Sequence, residues 1–200
     1  MIQAVAWFCA EHCGSLTRDG AVTQRKSPSF SAVDEVMALI GSPVKYYSRM
    51  TAEARSCLCA ASLAMRAVNW PDKEIGLLAA NESAWRIANE EYFRDYLANG
   101  RSLGRGNLFI YTLPTSALGE VAIALKLRGP TLHIADDAQP IAGMIRHAEQ
   151  MVGDGEADGM LALWSDADAA VCLAIDGREG QSWLRLPQCS PLELANHLRA

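Results

Sequence analysis

One short stretch, HIADDAQPIAG from His133 to Gly143, gathers the residue types most able to do chemistry. It holds an imidazole (His133), two adjacent carboxylates (Asp136 and Asp137) and an amide (Gln139), set between the strand-like TLHIA and a helical pattern. A turn that feeds a helix meets unpaired backbone N–H groups and a partial positive charge, the usual seat of a nucleophile in α/β enzymes. The turn offers two aspartates and no nucleophile. Neighbouring carboxylates can divide acid and base roles, since each disfavours ionisation of the other. An aspartate just before a helix is also its preferred N-cap, and Pro140 suits a first helical turn. Position favours capping.

A second cluster, CAEHC, brings Cys9, His12 and Cys13 together in sequence. Structural zinc needs four ligands, and no second Cys or His pair at regular spacing completes the set. The six cysteines form no CxxC frame and read as small core residues. The two glycines of RSLGRGN lack the GxGxxG spacing of a phosphate cradle. The sequence therefore calls for no metal and no cofactor.

The bulk composition narrows the field. Half of the 200 residues are hydrophobic, enough for one sizeable core, and the default is a single domain over residues 1–200. A formal net charge of -5 with dispersed Lys and Arg argues against nucleic acid and anionic membranes as partners. No apolar run reaches the ~18 residues of a membrane span. MIQAVAWFCAEHC has no basic leader region, so a cytoplasmic chain is expected.

The elements that must position these residues read as follows. IQAVAWF is a buried strand, and residues 14–47 are an irregular or mobile insertion in which AVDEVMALIG adds a helical turn or two. A helical pattern begins at Ser48, with Thr51 and Glu53 near its start and Ala54, Leu58, Ala61, Leu63 and Met65 on an apolar face, and ends at Trp70-Pro71. EIGLLAAN is a strand. SAWRIANEEYFRDYLANG is a helix whose stripe of Trp85, Ala88, Tyr92, Phe93 and Tyr96 points to the core. LFIYTLP reads as extended, and PTSALGEVAIALKLRG as a helix closed by Gly129. In the helix after the acidic turn, Ile141, Met144, Ile145, Ala148 and Val152 share one face, opposite Arg146, Glu149 and Gln150. ADGMLALWS and AAVCLAID are strands, and SPLELANHLR is a short helix capped by Ser190. The alternation predicts an α/β domain with a mixed, mostly parallel sheet of about five strands packed with helices.

The order of these pieces resembles the N-terminal half of a β-ketoacyl synthase of the thiolase superfamily. Leu113-Pro114, Gly119-Glu120, Ala122-Ile123, Leu127, Gly129-Pro130-Thr131 and Gly155-Glu156-Ala157-Asp158 follow the family's pattern in sequence, within a similarity spanning about residues 46–175. The resemblance implies a single thiolase-like half-domain. It also implies an acyl-accepting cysteine about nine residues after the glycine of Gly-Pro-Thr, where this chain has Ala138. The two catalytic histidines of the family come from a second, similar half, and neither His133 nor His147 matches them. AVCLAID resembles the first strand of that second half. In the related chain-length factors, glutamine replaces the cysteine, and Gln139 stands one position beyond it.

These departures imply a non-catalytic relative, partnered with an active ketosynthase or an acyl carrier protein in fatty-acid, polyketide or polyene synthesis. Family members pair through the strand before the nucleophile, here Thr131 to Ala135, so a homo- or heterodimer is expected. Two alternatives stand beside it. One is altered chemistry on the same scaffold, a thioester hydrolase or decarboxylase using Asp136, Asp137 or His133. The other is a homodimeric acyl-binding protein.

Overall fold

The computed structural model describes residues 1–70, 73–81, 84–101, 104–134, 140–177 and 189–199. Its centre is made by strands with apolar side chains in both directions. β1 (Ile2–Cys9), β6 (Gly159–Ser165) and β7 (Ala169–Asp176) are buried at every position, which requires helices on both faces. With β2 (His12–Thr17), β3 (Val22–Lys26), β4 (Ile75–Asn81) and β5 (Thr131–His133) they form a seven-stranded sheet of order β3-β2-β1-β7-β6-β4-β5. β5, β4 and β6 run parallel, and β7 is antiparallel to both β6 and β1.

The α/β class and mixed sheet agree with the sequence reading, but four of the six pairings among the described residues are antiparallel, so the sheet is not mostly parallel, and it has two strands more than expected. Both lie in the segment read as irregular. β2 and β3 form a hairpin closed at Asp19-Gly20, where Gly20 has φ 85° and the Thr17 N–H donates to the Ala21 carbonyl at 3.0 Å. Asp-Gly is a hairpin signal, but β3 (VTQRK) is exposed throughout and has no apolar alternation to mark it. Gly14 is essential to this hairpin, since a Cβ there would lie 2.7 Å from the Trp7 ring. α1 (Val33–Ile40) then ends at Gly41 in the left-handed region, φ 89°.

A second correction concerns AVCLAID. Residues Ala169–Asp176 are no opening strand of another half but the centre of this sheet, bonded on one side to β6 and on the other to β1. The strand's continuous apolar character reflects that two-sided burial.

α2 (Ala52–Ala67) starts where Thr51 Oγ1 accepts the Ala54 N–H at 3.2 Å and lies over β1 and β7, with α1 and α5 (Ser116–Leu125) beside it. Its small residues, among them Cys57, Cys59, Ala60 and Ala64, meet Ala4, Ala6, Ala170 and Ala174 of the sheet, so helix and sheet approach closely. Buried Ser62 returns its hydroxyl to the Leu58 carbonyl at 2.7 Å. α6 (Pro140–Gly153) and α7 (Pro191–Arg199) cover the opposite face. On α6, Met144 and Ala148 are fully buried and Ile141, Ile145 and Val152 pack around them, while Arg146, Glu149 and Gln150 are exposed, as the period predicts. α7 opens with reciprocal capping: Ser190 Oγ accepts the Glu193 N–H at 3.2 Å, and Glu193 Oε2 accepts the Ser190 N–H at 2.7 Å.

α3 (Ala84–Ala98) departs from its reading. Ala88 is buried, but Phe93 is 59 % exposed, and Tyr92 and Tyr96 are only half-buried. Tyr92 stacks on Tyr96 and meets the edge of Phe109, so the aromatics pack on one another and on α4 (Gly106–Ile110) rather than into the core. That stretch, read as extended, is a helix. The Trp85 side chain lies outside the described residues. α5 stops at Lys126, left-handed at φ 56°, with the Leu127 N–H on the Ala122 carbonyl at 2.9 Å, and not at Gly129.

Candidate functional site

The parallel strands β4, β5 and β6 end together, and the carboxyl ends of such strands are where open α/β sheets bind ligands. β5 brings His133 to this end, opposite Ala79 of β4 in register, and the following Ile134 N–H donates to the Ala79 carbonyl at 2.8 Å. His133 shares the face of the sheet that carries α2, whereas Ile134 packs with the α6 cluster. Burial holds the His133 imidazole below its ordinary value, favouring the neutral ring. Asp136, Asp137, Ala138 and Gln139, with Ala135, lie outside the described residues.

On the same face a cleft of about 190 Å³ opens between the α2 N-terminus, α3, the α4–α5 connection and the β6–β7 turn. Glu53, Glu91, Tyr111, Leu113, Pro114 and Ala167 are among its walls, and His133 is not. Ser165, the last residue of β6, donates to Glu53 Oε1 at 2.9 Å and so ties the strand end to the helix start. Tyr111 donates to Glu120 Oε1 at 3.1 Å, and burial together with that carboxylate pushes its phenol up. None of this cleft was visible in the sequence reading. Its residues come from four separate segments, 51–53, 87–91, 111–117 and 167, and among them only Leu113-Pro114 carried a motif.

Two cysteines are buried on the same side of the sheet. Cys57 is one turn beyond Glu53; burial and the Glu53 carboxylate push its thiol well up, against a smaller downward pull from its hydrogen bond to Ser165. Cys172, on β7, is likewise pushed up by burial. The reactive species of cysteine is the thiolate, which burial disfavours at both. All six cysteines are free thiols.

The CAEHC cluster is separated by strand geometry. Successive residues of β2 point to opposite faces, so Cys13 enters the α2 side while His12 turns to the α7 side. The His12 ring is engaged by Trp7 and Asn196, and Cys9 Sγ donates to the His12 carbonyl at 3.2 Å. Among the described residues no three His, Cys, Asp or Glu side chains are grouped to hold a metal.

The motif residues have structural explanations. A Cβ on Gly129 would lie 2.7 Å from backbone atoms of Ile75 and Gly76; its N–H donates to the Ile75 carbonyl at 3.0 Å, and the Pro130 carbonyl accepts from Leu77 at 2.8 Å. This close approach delivers β5 to β4. Gly155 turns the chain after α6 at φ 76°, Ala157 is buried, and Asp158 Oδ2 accepts the Glu74 N–H at 2.7 Å, locking the start of β6 to that of β4.

No family profile and no curated protein sequence matches the chain. Its structure does match solved structures. A ketosynthase (ApeO) in complex with its chain length factor (ApeC) from Xenorhabdus doucetiae matches with TM-score 0.58 at 15% identity, over 83% of this chain and 84% of that one. The ishigamide ketosynthase/chain length factor matches with TM-score 0.62 at 13% identity, over 90% of this chain and 63% of that one. A type II polyketide synthase acyl-carrier protein in complex with its ketosynthase, AntDE:AntF, matches with TM-score 0.56 at 12% identity, over 88% and 64%. The chain thus spans less than two thirds of the latter two. It has a ketosynthase-like fold of the thiolase type.

Proposed function

We propose that this protein is a non-catalytic ketosynthase-like subunit that pairs with an active ketosynthase, in fatty-acid, polyketide or polyene-type synthesis served by an acyl carrier protein. The observation that carries the reading is the edge position of β5 among the described residues. It closes the sheet with Thr131 and Leu132 exposed, and Ile123 of α5, which packs beside it, is 77 % exposed. An edge strand with apolar neighbours is a template for strand addition and a poor surface to leave in water. Ala138 in place of the thiol, and the protonated state favoured at Cys57 and Cys172, support a role without acyl transfer.

Co-expression with candidate ketosynthases tests the proposal. A stable one-to-one complex, weakened at least tenfold by Leu132→Lys with the fold of the isolated chain intact, is the expected result. A lone monomer with every synthase, and no change in product length, overturns it; a homodimer instead moves the reading to an acyl-binding protein, checked by mass spectrometry for bound acyl groups.

His133 favours a second reading. A neutral imidazole at the end of a parallel strand would suit a general base, which a thioester hydrolase or decarboxylase would use with Asp136 or Asp137. Thioester turnover that is unchanged in His133→Ala and in Asp137→Ala removes it.

A further inference from the structure

We propose that the groove between the β2–β3 hairpin and the α1–α2 pair binds a small phosphate monoester, its anionic head held by Arg25 and Arg66. The groove has a volume of about 390 Å³, the size of a small-ligand site. Two guanidinium groups line it, and no Asp or Glu is among its walls. Neighbouring hollows differ in this respect. Arg18 shares one with Asp19, and Lys73, Lys126 and Arg128 share another with Glu74 and Asp158. In a chain of net charge -5, two cations gathered in one groove without a carboxylate make that space electropositive, and an anion is what it attracts.

The fold places each guanidinium. Arg25 stands opposite Cys13 in the β2–β3 register, and partners across a ladder share a face, so Arg25 lies on the α2 side of the sheet as Cys13 does. Arg66, in the last turn of α2, donates through Nη1 to the Ala38 and Leu39 carbonyls of α1 at 3.2 and 3.0 Å. Those bonds fix the group in the wall and leave the N–H groups of Nε and Nη2 for a ligand. Neither arginine is paired with a carboxylate among the described residues. Between them, the hydroxyls of buried Ser15 and of Thr23 share a hydrogen bond at 2.8 Å. That bond uses one of the pair's O–H groups, and the other is left to donate to an anion. Thr17 offers no such donor, because its hydroxyl is given to Asp19 in the hairpin turn.

Phosphate suits these donors better than carboxylate does. Its oxygens are set tetrahedrally and can meet guanidinium forks from two walls and a hydroxyl at once, and at about pH 7.5 a monoester carries close to two negative charges. Ala38, Leu63 and Ala67 supply an apolar lining for the alcohol portion. The site is independent of the pairing proposed at β5, because β3 and β5 are opposite edges of the sheet.

Butyl phosphate is the probe, titrated into the full chain at low ionic strength and followed by amide NMR. Saturable binding with a Kd below about 1 mM, with shifts at Thr23, Arg25 and Arg66 and none in β6, is the expected result. Arg25→Gln, on the exposed strand β3, should weaken binding about tenfold, the size of a lost charge-assisted hydrogen bond. Arg66→Gln should do the same, and Thr23→Val should weaken binding several-fold. Arg18→Gln and Lys126→Gln, in the neighbouring hollows, should leave it unchanged. Butyrate should bind at least about tenfold more weakly than butyl phosphate. No saturation by about 10 mM, butyrate binding as well as butyl phosphate, or an affinity that Arg25→Gln does not change overturns the proposal. The Arg25 result decides it even if Arg66→Gln, which also loses the α1 carbonyls, fails to fold.

Discussion

α2 and α3 are helices of 16 and 15 residues, both apolar enough to read as core, and the fold treats them in opposite ways. α2 buries nine residues because a sheet lies beneath it and α1 and α5 lie at its sides. α3 has α4 as its main neighbour, and it leaves Phe93 and Leu97 in the open, 59 % and 42 % exposed. Hydrophobic content thus marks two different things, a centre that stabilises the chain and a rim that leaves apolar side chains exposed. The rim continues through Phe109, Ile110 and Leu113, each more than half exposed.

The contrast can be broken most directly by truncation. Leu58→Ala on α2 removes a fully buried side chain and should cost about 3 kcal/mol in urea unfolding, whereas Phe93→Ala should stay within about 0.5 kcal/mol. Equal costs would dissolve the distinction between centre and rim. Gly129→Ala tests how β5 is attached to β4: its Cβ meets unyielding backbone at Ile75, so a loss of about 1–3 kcal/mol is expected by the same measurement.

Helix caps provide a finer comparison. Thr51→Ala should cost about 1 kcal/mol, appearing as global destabilisation because α2 is central. Ser190→Ala should cost a similar ~1 kcal/mol but appear as faster exchange confined to α7. The smallest effect concerns His133. Its folded value is lowered by burial from the ordinary 6.5, so the unfolded chain takes the proton first and stability falls as pH drops below about 6.5. The loss is complete once pH passes below the folded value. Comparing wild type with His133→Gln between about pH 7.5 and about pH 5 should show the larger acid loss in wild type.

Much of this was legible in the residues themselves. Two-sided apolar runs announced β1, β4, β6 and β7, the 3.6-residue period placed the buried face of α6, and Ser190-Pro191 marked the start of α7. The hairpin β2–β3 escaped because an exposed edge strand gets its pairing from backbone hydrogen bonds, which leave no hydrophobic period. The α3 stripe misled for the reverse reason: spacing reports which side chains share a face, and nothing about what lies opposite. The cleft was illegible because Glu53, Tyr111 and Ala167 meet only after the chain has crossed the sheet several times.

The amino-acid sequence by itself determined most of the local elements, the alanine at position 138 and the glycine that lets β5 reach β4, since each depends on a residue's own size, period or functional group. Tertiary structure alone decided that AVCLAID is the middle of this sheet, that β5 is its edge, that Ser165 meets Glu53, and that His12 meets Trp7 and Asn196. Those depend on which strand lies beside which, a choice made by long-range burial and hydrogen bonding together.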